Sequence, residues 1–222
     1  MTFVYPEIDT VFDTEADRVN TLVIENPGLL CRLTEDLTAQ LDGAAGRAVL
    51  AENGRLLPIA KGLELLDRFV PFDLNRKTLL NRICATLEKE AVGDGFYYKT
   101  AELISDAERY LADLAFRLPG GVSFSGLTAG ALIRAAGARV ECEGFGICEK
   151  LLDYFELVGE YDRKKLFVTL NLRAFVGDGE AELFLDTALS HGYNLLMIES
   201  ADLPRLQKER RYIVDRDLCE IG

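Results

Sequence analysis

Residues 21–33 read TLVIENPGLLCRL, and this stretch decides the fold class of the chain. An apolar run stops at Asn26-Pro27-Gly28 and is followed by leucines at helical spacing, which predicts a buried strand, a tight loop and a helix. Nucleotide-binding proteins hold phosphate in this layout. A phosphate-binding P-loop requires the pattern G-x-x-x-x-G-K-[ST]. Here Pro27 removes an amide, Glu25 would repel phosphate, and no Lys-Ser or Lys-Thr pair follows. The stretch therefore predicts the architecture of a nucleotide site without its chemistry.

The segments on either side continue the alternation of strands and helices. Strands are predicted over 18–26, in two short pieces within 46–60 around Asn53-Gly54, and over 138–143, 164–172, 193–200 and 211–221. Helices are predicted over 28–43, 147–161 and 179–192. This order is typical of an α/β fold with a mostly parallel sheet. It predicts a head built from residues 1–67 and 140–222.

The middle of the chain has a different pattern. Amphipathic helices are predicted over 75–91, 99–118 and 125–138, with glycines at the joints and no strand between them. The second of these has its apolar side chains on one stripe that runs from Leu103 to Leu118. Residues 68–139 are therefore predicted to form a helical leg inserted into the head.

Composition excludes several classes of protein. About half of the 222 residues are apolar, which is enough for a sizeable core and too many for a disordered chain. No apolar run reaches the roughly 20 residues of a membrane helix, and MTFVYPEIDT has no basic or apolar region of a signal peptide. The five cysteines are scattered, without the short spacing of a zinc site. A cytoplasmic protein with no membrane partner is expected.

The net charge of −12 argues against a nucleic-acid partner, but the charge is unevenly distributed. Residues 61–139 contain 11 basic and 10 acidic side chains, whereas the rest of the chain contains 14 basic and 27 acidic ones. Nearly all the excess acid therefore lies outside the middle third. This distribution fits either a solvated acidic surface or a protein whose middle segment approaches a polyanion.

The sequence offers no strong catalytic signature. His191 is the one histidine and stands at a predicted helix end, so the usual zinc and Ser-His sites are excluded. The strand over 164–172 ends in Asn171 where an NTPase strand would end in an acid. Two sets of carboxylates could form a nuclease site, but both have the alternation of solvated surface; they are Asp13, Glu15 and Asp17, and Asp215 and Asp217.

Seven pieces of the chain, taken in order, resemble one known family. They are FVYPEIDTVF; NTLVIENPGLLCRLTEDL; LLDRFVPFDLNRKTLLNRI, with Asp67, Asp73 and Asn75; ALIRAAGARVE; LLDYFELVGEYDRKKLFVTLNLRAFV; LLMIES; and YIVDRDLCEI. Each piece is weak alone, but together they span the chain in register. The chain resembles the CRISPR-associated adaptation protein of type II-A systems, the Csn-two family.

The resemblance implies a head like a P-loop ATPase that has lost its nucleotide site, with a helical leg. It further implies that four copies form a ring, that duplex DNA threads from a free end through a basic hole, and that the protein is not an enzyme. The implied partners are double-stranded DNA, other copies of the chain, and the CRISPR integrase proteins and effector nuclease of the same locus, in spacer acquisition.

The resemblance also implies Ca²⁺ as a cofactor, held by acidic residues near the end of the long leg helix. In this sequence the corresponding stretch is FRLPGGVSFSG, residues 116–126, which contains no Asp or Glu. Ca²⁺ needs several oxygen ligands, largely carboxylates. A calcium dependence of the family kind is therefore not expected from this stretch, and the metal ligands are left open.

The expected DNA-binding residues are the leg cations Arg76, Lys77, Arg82, Lys89, Arg134 and Arg139. Singly, each is as well explained as a solubilising surface cation; collectively, an acidic DNA-binding protein must concentrate its few cations, and a ring multiplies them. No catalytic residue is expected. Two alternatives are a nucleotide- or metal-dependent nuclease or ATPase on the same α/β scaffold, and a protein-interaction scaffold.

Overall fold

The computed structural model describes residues 1–14, 17–141, 144–161 and 164–221. They divide into two compact units, the first built from Met1–Asp73 with Cys142–Gly222 and the second from Leu74–Glu141. The sequence places the corresponding changes at 67/68 and 139/140. Below, head denotes the first unit and leg the second.

The head contains ten strands and four helices among its described residues. In chain order they are β1 (Thr2–Val4), β2 (Phe12–Asp13), β3 (Val19–Ile24), α1 (Pro27–Leu41), β4 (Val49–Glu52), β5 (Arg55–Leu57), α2 (Ile59–Gly62) and β6 (Leu63–Leu66). The leg helices α3 (Lys77–Ala91), α4 (Tyr97–Ala115) and α5 (Ala129–Ala136) follow. The head then resumes with α6 (Ile147–Tyr161), β7 (Leu166–Leu170), a 3-10 turn (Leu172–Ala174), α7 (Asp178–Ser190), β8 (Asn194–Glu199), β9 (Glu209–Val214) and β10 (Glu220–Ile221).

The larger sheet has the strand order β10-β9-β3-β8-β7-β6. Its five longer strands pair in parallel, and only β10 is antiparallel. Strands β3 and β8 are buried along their whole length, as continuous apolar runs in a sheet covered on both faces require. The α/β class predicted from the sequence is confirmed.

The smaller sheet, β2-β1-β4-β5, is antiparallel throughout. Its β4–β5 hairpin turns at Asn53 and Gly54, which have φ values of 50° and 74°, the left-handed backbone that a two-residue turn of this kind needs. The main apolar core joins inward side chains of both sheets to the buried face of α1, formed by Leu29, Leu33 and Leu37.

Two predicted strands differ in the structure. Residues 138–141 are not a strand, and Cys142 and Glu143, which complete that prediction, lie outside the described residues. The single last strand predicted over 211–221 is two strands, because Asp215 folds the chain into a turn: its Oδ1 accepts the amide hydrogens of Asp217 and Cys219. No helix in the described part of the chain is long and apolar enough to cross a membrane.

Candidate functional site

The loop before α1 is held by its own side chains. Asn26 caps the helix, because its Oδ1 accepts the amide hydrogen of Leu29 at 3.0 Å, and its Nδ2 donates to the carbonyl oxygen of Arg216 at 2.8 Å. Pro27 occupies the first helical position, where its fixed φ suits the helix and the missing N–H has no intrahelical partner to lose. The side-chain groups of Asn26 therefore bond to the chain itself.

A cation in the second turn of α1 is also engaged. Arg32 of α1 forms an ion pair with Glu7 at 2.5 Å, and Arg47 forms a second ion pair with the same carboxylate. Hydrogen bonds from these two guanidinium groups lower the pKa of Glu7 to about 2. Arg47 also pairs with Asp36 at 2.8 Å. These contacts fix the N-terminal segment against α1 and neutralise Arg32.

Those candidate nuclease carboxylates that the structure describes are not gathered into a metal site. Asp215 shapes the turn between β9 and β10, Asp13 ends β2, and Asp17 is exposed. Asp217 lies in the same turn, where its amide donates to Asp215, and Glu15 lies outside the described residues. Across the described residues, no group of three or more His, Cys, Asp or Glu side chains is arranged to hold a metal ion.

His191 follows the last residue of α7, at the position predicted from the sequence. Its Nδ1 lies 2.9 Å from the carbonyl oxygen of Thr187 and 3.3 Å from the hydroxyl of Ser190. The ring also stacks on Tyr193, with centroids 5.6 Å apart. His191 is therefore a C-terminal capping residue of α7.

One end of the leg brings three of the expected DNA-binding cations together. Asn75 joins the two ends of the leg, since its Oδ1 accepts the amide hydrogen of Val140 at 2.7 Å and its Nδ2 donates to the Val140 carbonyl at 3.2 Å. Arg76 and Lys77 follow Asn75, and Arg139 precedes Val140, so all three stand beside this pair. Lys77 and Arg139 are exposed, and Arg76 is half-buried. No sequence pattern indicates that these segments, more than 60 residues apart, meet.

The other three expected DNA-binding cations lie on α3 and α5. Arg82 is half-buried, and Lys89 is exposed in the last turn of α3, about 10 Å further along the helix axis at 1.5 Å per residue. Arg134 of α5 lies 3.9 Å from Glu88 of α3. Gly130 leaves room for the Glu88 carboxylate in its present position, because a Cβ at residue 130 would lie 2.5 Å from it.

Helix α4 has no buried residue within this chain. Apolar side chains of the predicted stripe are exposed on α4: Leu103 is just over half exposed, and Tyr110 is 64% exposed. The helix was predicted to extend to Leu118, but α4 ends at Ala115, so Leu118 lies outside it. Most helical stability in proteins comes from packing of an apolar face. A 19-residue helix with an exposed apolar stripe therefore presents a surface suited to another protein chain.

The segment after α4 forms an open cavity of about 880 Å³ with the end of that helix. Apolar side chains and glycines dominate its lining, and Glu108 is the acidic group among the lining residues. Its Oε1 accepts the amide hydrogen of Leu127 at 2.8 Å. One carboxylate that already bonds to the backbone does not make a Ca²⁺ site, so this segment does not fit the metal.

A buried polar cluster in the head was missed by the sequence analysis. Burial raises the pKa of Glu199, at the end of β8, to about 7, although the amide of Arg173 donates to its carboxylate. The Arg173 guanidinium bonds to Asp178 and to the carbonyl oxygen of Pro204. The sequence feature that could have indicated this cluster is the glutamate at the end of a continuous apolar strand. The cluster stabilises the loop between β8 and β9.

Comparison with protein families identifies one match, which covers most of the chain. The profile of the CRISPR-associated proteins designated Cas_Csn2 matches residues 40–218. No curated protein sequence matches significantly.

Among solved structures, the chain is similar to the crystal structure of Stu0660 of Streptococcus thermophilus. The two share 13% sequence identity at a TM-score of 0.56, and the match covers 97% of this chain and 74% of that one. At this identity the likeness concerns the fold alone.

Proposed function

This chain belongs to the Cas_Csn2 family of CRISPR-associated proteins, and we propose that it is a double-stranded-DNA-binding protein that acts in CRISPR spacer acquisition. The family match over residues 40–218 is the observation that carries the proposal. In this account the protein is a homotetrameric ring in the cytoplasm, and duplex DNA enters its basic hole from a free end. Its partners are the integrase proteins and the effector nuclease of the same locus.

The head, in this proposal, resembles a P-loop ATPase core that has lost its nucleotide site, and the protein catalyses no reaction. The proposal is supported by the groups at the start of α1, where Asn26 already occupies an amide of the first turn and Pro27 supplies none. Arg32 of the same helix is paired with Glu7. A triphosphate would have to break these contacts before it could bind.

Self-association is supported by α4. Its exposed apolar stripe needs a covering surface, and other copies of the chain provide one in a ring. The ring also explains how a chain with a negative net charge could bind DNA. A protein with a net charge of −12 binds DNA only where its cations are concentrated, and four copies repeat each leg cation four times around the hole.

The DNA contacts are assigned to the leg cations. Arg76, Lys77 and Arg139 make up the strongest group, because the Asn75–Val140 pair brings them to one end of the leg. Lys89 extends the cationic surface along α3. Arg134 contributes once its contact with Glu88 opens, at a small cost, because both side chains are largely solvated.

Two assays on the purified protein separate this function from the alternatives. Equilibrium binding to a linear duplex tests the DNA contact, and an ATP-hydrolysis assay tests the P-loop enzyme. Salt-sensitive duplex binding without hydrolysis supports the proposal. Hydrolysis stimulated by DNA would establish an enzyme, and the absence of duplex binding at low salt would leave a protein-interaction scaffold.

A further inference from the structure

A distinctly basic stretch lies within the acidic head. Residues 203–212 read LPRLQKERRY, with four basic side chains and one acidic one, in a part of the protein that otherwise supplies nearly all its excess negative charge. Arg205, Lys208 and Arg210 are exposed. None of the three forms an ion pair with a described residue, so their charges face solvent.

Strand pairing brings a fourth cation to the same place. The amide of Val19 donates to the carbonyl oxygen of Lys208 at 2.9 Å, and Asn20 is in register with Arg210. Arg18, which is exposed, therefore stands beside Lys208 at the amino ends of β3 and β9, where neighbouring strands are about 4.8 Å apart. We use the name head cation surface for Arg18, Arg205, Lys208 and Arg210.

The acidic groups of this segment are neutralised internally. Arg211 is largely buried and bonds to the carboxylates of both Glu209 and Asp202. Glu209 is itself 1% exposed, so its charge is compensated inside the head. Among the described residues, Asp17 adjoins Arg18 in the sequence, and Glu182 accepts a backbone hydrogen bond from the loop at Gln207. The exposed side of the segment is therefore net positive.

The loop that carries Arg205 and Lys208 is anchored by hydrogen bonds and by a buried side chain. The carbonyl oxygen of Pro204 accepts hydrogen bonds from Arg173 at 2.9 Å and from Arg211 at 3.3 Å. The amide of Leu206 donates to Glu209, and the Leu206 side chain is buried. The loop thus exposes Arg205 and Lys208 while its neighbours are fixed. A fixed display of cations loses less entropy on binding than a mobile one.

We propose that the head cation surface is a second phosphate-contacting surface for duplex DNA, separate from the leg cations. This inference rests on the proposed function and adds a contact region to it. Four exposed cations on a fixed backbone match a regular polyanion, which needs point charges and no apolar pocket. The leg cations alone leave the acidic head without an attractive contact to DNA, and this surface supplies one.

The test compares two triple variants of the full chain with equal net charge. The first replaces Arg205→Gln, Lys208→Gln and Arg210→Gln. The matched control replaces Arg55→Gln, Lys61→Gln and Arg216→Gln, which are exposed head cations outside the surface. Affinity for a linear duplex is measured over a series of salt concentrations. Thermal melting followed by circular dichroism verifies that both variants fold as the unaltered chain does.

Each phosphate contact contributes about 0.9 to the slope of log affinity against log salt. The first variant should therefore lower the slope by about 2 to 3 and weaken binding at least tenfold at low salt, whereas the control should keep the slope of the unaltered chain. Equal slopes for the two variants would overturn the head cation surface and leave the proposed function intact.

Two further outcomes would also count against the inference. If the unaltered chain does not bind duplex at low salt, the proposed function and the head cation surface both fail. If the first variant binds DNA as the control does but loses affinity for poly-glutamate, the surface recognises an acidic polypeptide, and the assignment to DNA is wrong.

Discussion

Replacing Lys165 by Met should strongly destabilise the head. The Lys165 Nζ lies 2.7 Å from Oε1 of Glu64, and the two side chains are 3% and 10% exposed. Tyr154 of α6 donates to the other carboxylate oxygen at 3.1 Å, so the group ties β6, β7 and α6 together. Met keeps most of the apolar stem of Lys165 but leaves the Glu64 carboxylate buried without its counter-charge. Breaking a buried pair in this way costs about 3–5 kcal/mol of unfolding free energy.

Urea unfolding measures this loss. With a slope of about 2 kcal/mol per molar urea, the midpoint should fall by about 1.5–2.5 M. Lys164→Met is the matched control, because Lys164 is the exposed neighbour, and it should change stability by less than about 0.5 kcal/mol.

The double variant Glu64→Leu, Lys165→Met should recover most of the loss, because it removes both charges and leaves none buried. A loss below about 1 kcal/mol for Lys165→Met, or a double variant as unstable as the single one, would refute this reasoning.

Three further predictions concern pH, metal and DNA. Burial raises the pKa of Glu199 from 4.5 to about 7 in the folded protein. Between pH 4.5 and about 7 the Glu199 carboxyl is therefore protonated more in the folded state than in the unfolded state, so the free energy of unfolding falls as pH rises through this range. Glu199→Gln should flatten that slope, and an unchanged slope in pH-dependent unfolding would contradict the assignment. Calcium and EDTA should leave the oligomer mass unchanged in light scattering, because residues 116–126 contain no carboxylate; dissociation by EDTA with recovery in Ca²⁺ would show a site elsewhere. Charge reversal of Arg134 and Arg139 together should weaken duplex binding equally for unrelated sequences with the oligomer intact, and a sequence-dependent loss would show base recognition instead.

Elements with a strong periodic signal were predictable from the sequence. The strand over 18–26, the helix after Pro27 and the hairpin at Asn53-Gly54 all occur, because local residue types fix each of them. The three leg helices occur as well, with α5 capped by Thr128, whose hydroxyl accepts the amide hydrogen of Ala131.

The small antiparallel sheet was not predictable beyond its hairpin. Strand β1 has three residues and β2 has two, which is too short for an alternation to be recognised. Strand β1 also pairs with β4, more than 40 residues away, and such pairing depends on the packed core rather than on local pattern.

The candidate site was predictable in its residue types but not in its arrangement. Side-chain hydrogen bonds from Asn75 to Val140 bring Arg76 and Arg139 together, and no periodicity announces such a contact. The basic surface at 203–210 was not recognised because the net charge was summed over the whole head, which is strongly acidic. The neutralisation of Glu209 and Asp202 by Arg211 is visible only in the three-dimensional structure.

The most direct test of the central claim compares the affinity of the protein for linear and for closed circular duplex DNA. A relaxed closed circle and the same molecule linearised by a single cut have equal length, sequence and phosphate charge, and they differ only in free ends. At equal salt the ring account predicts tight binding to the linear form and poor binding to the circle, because a closed ring must be threaded from an end. Equal affinity for the two forms would contradict threading and reduce the cations to a surface patch.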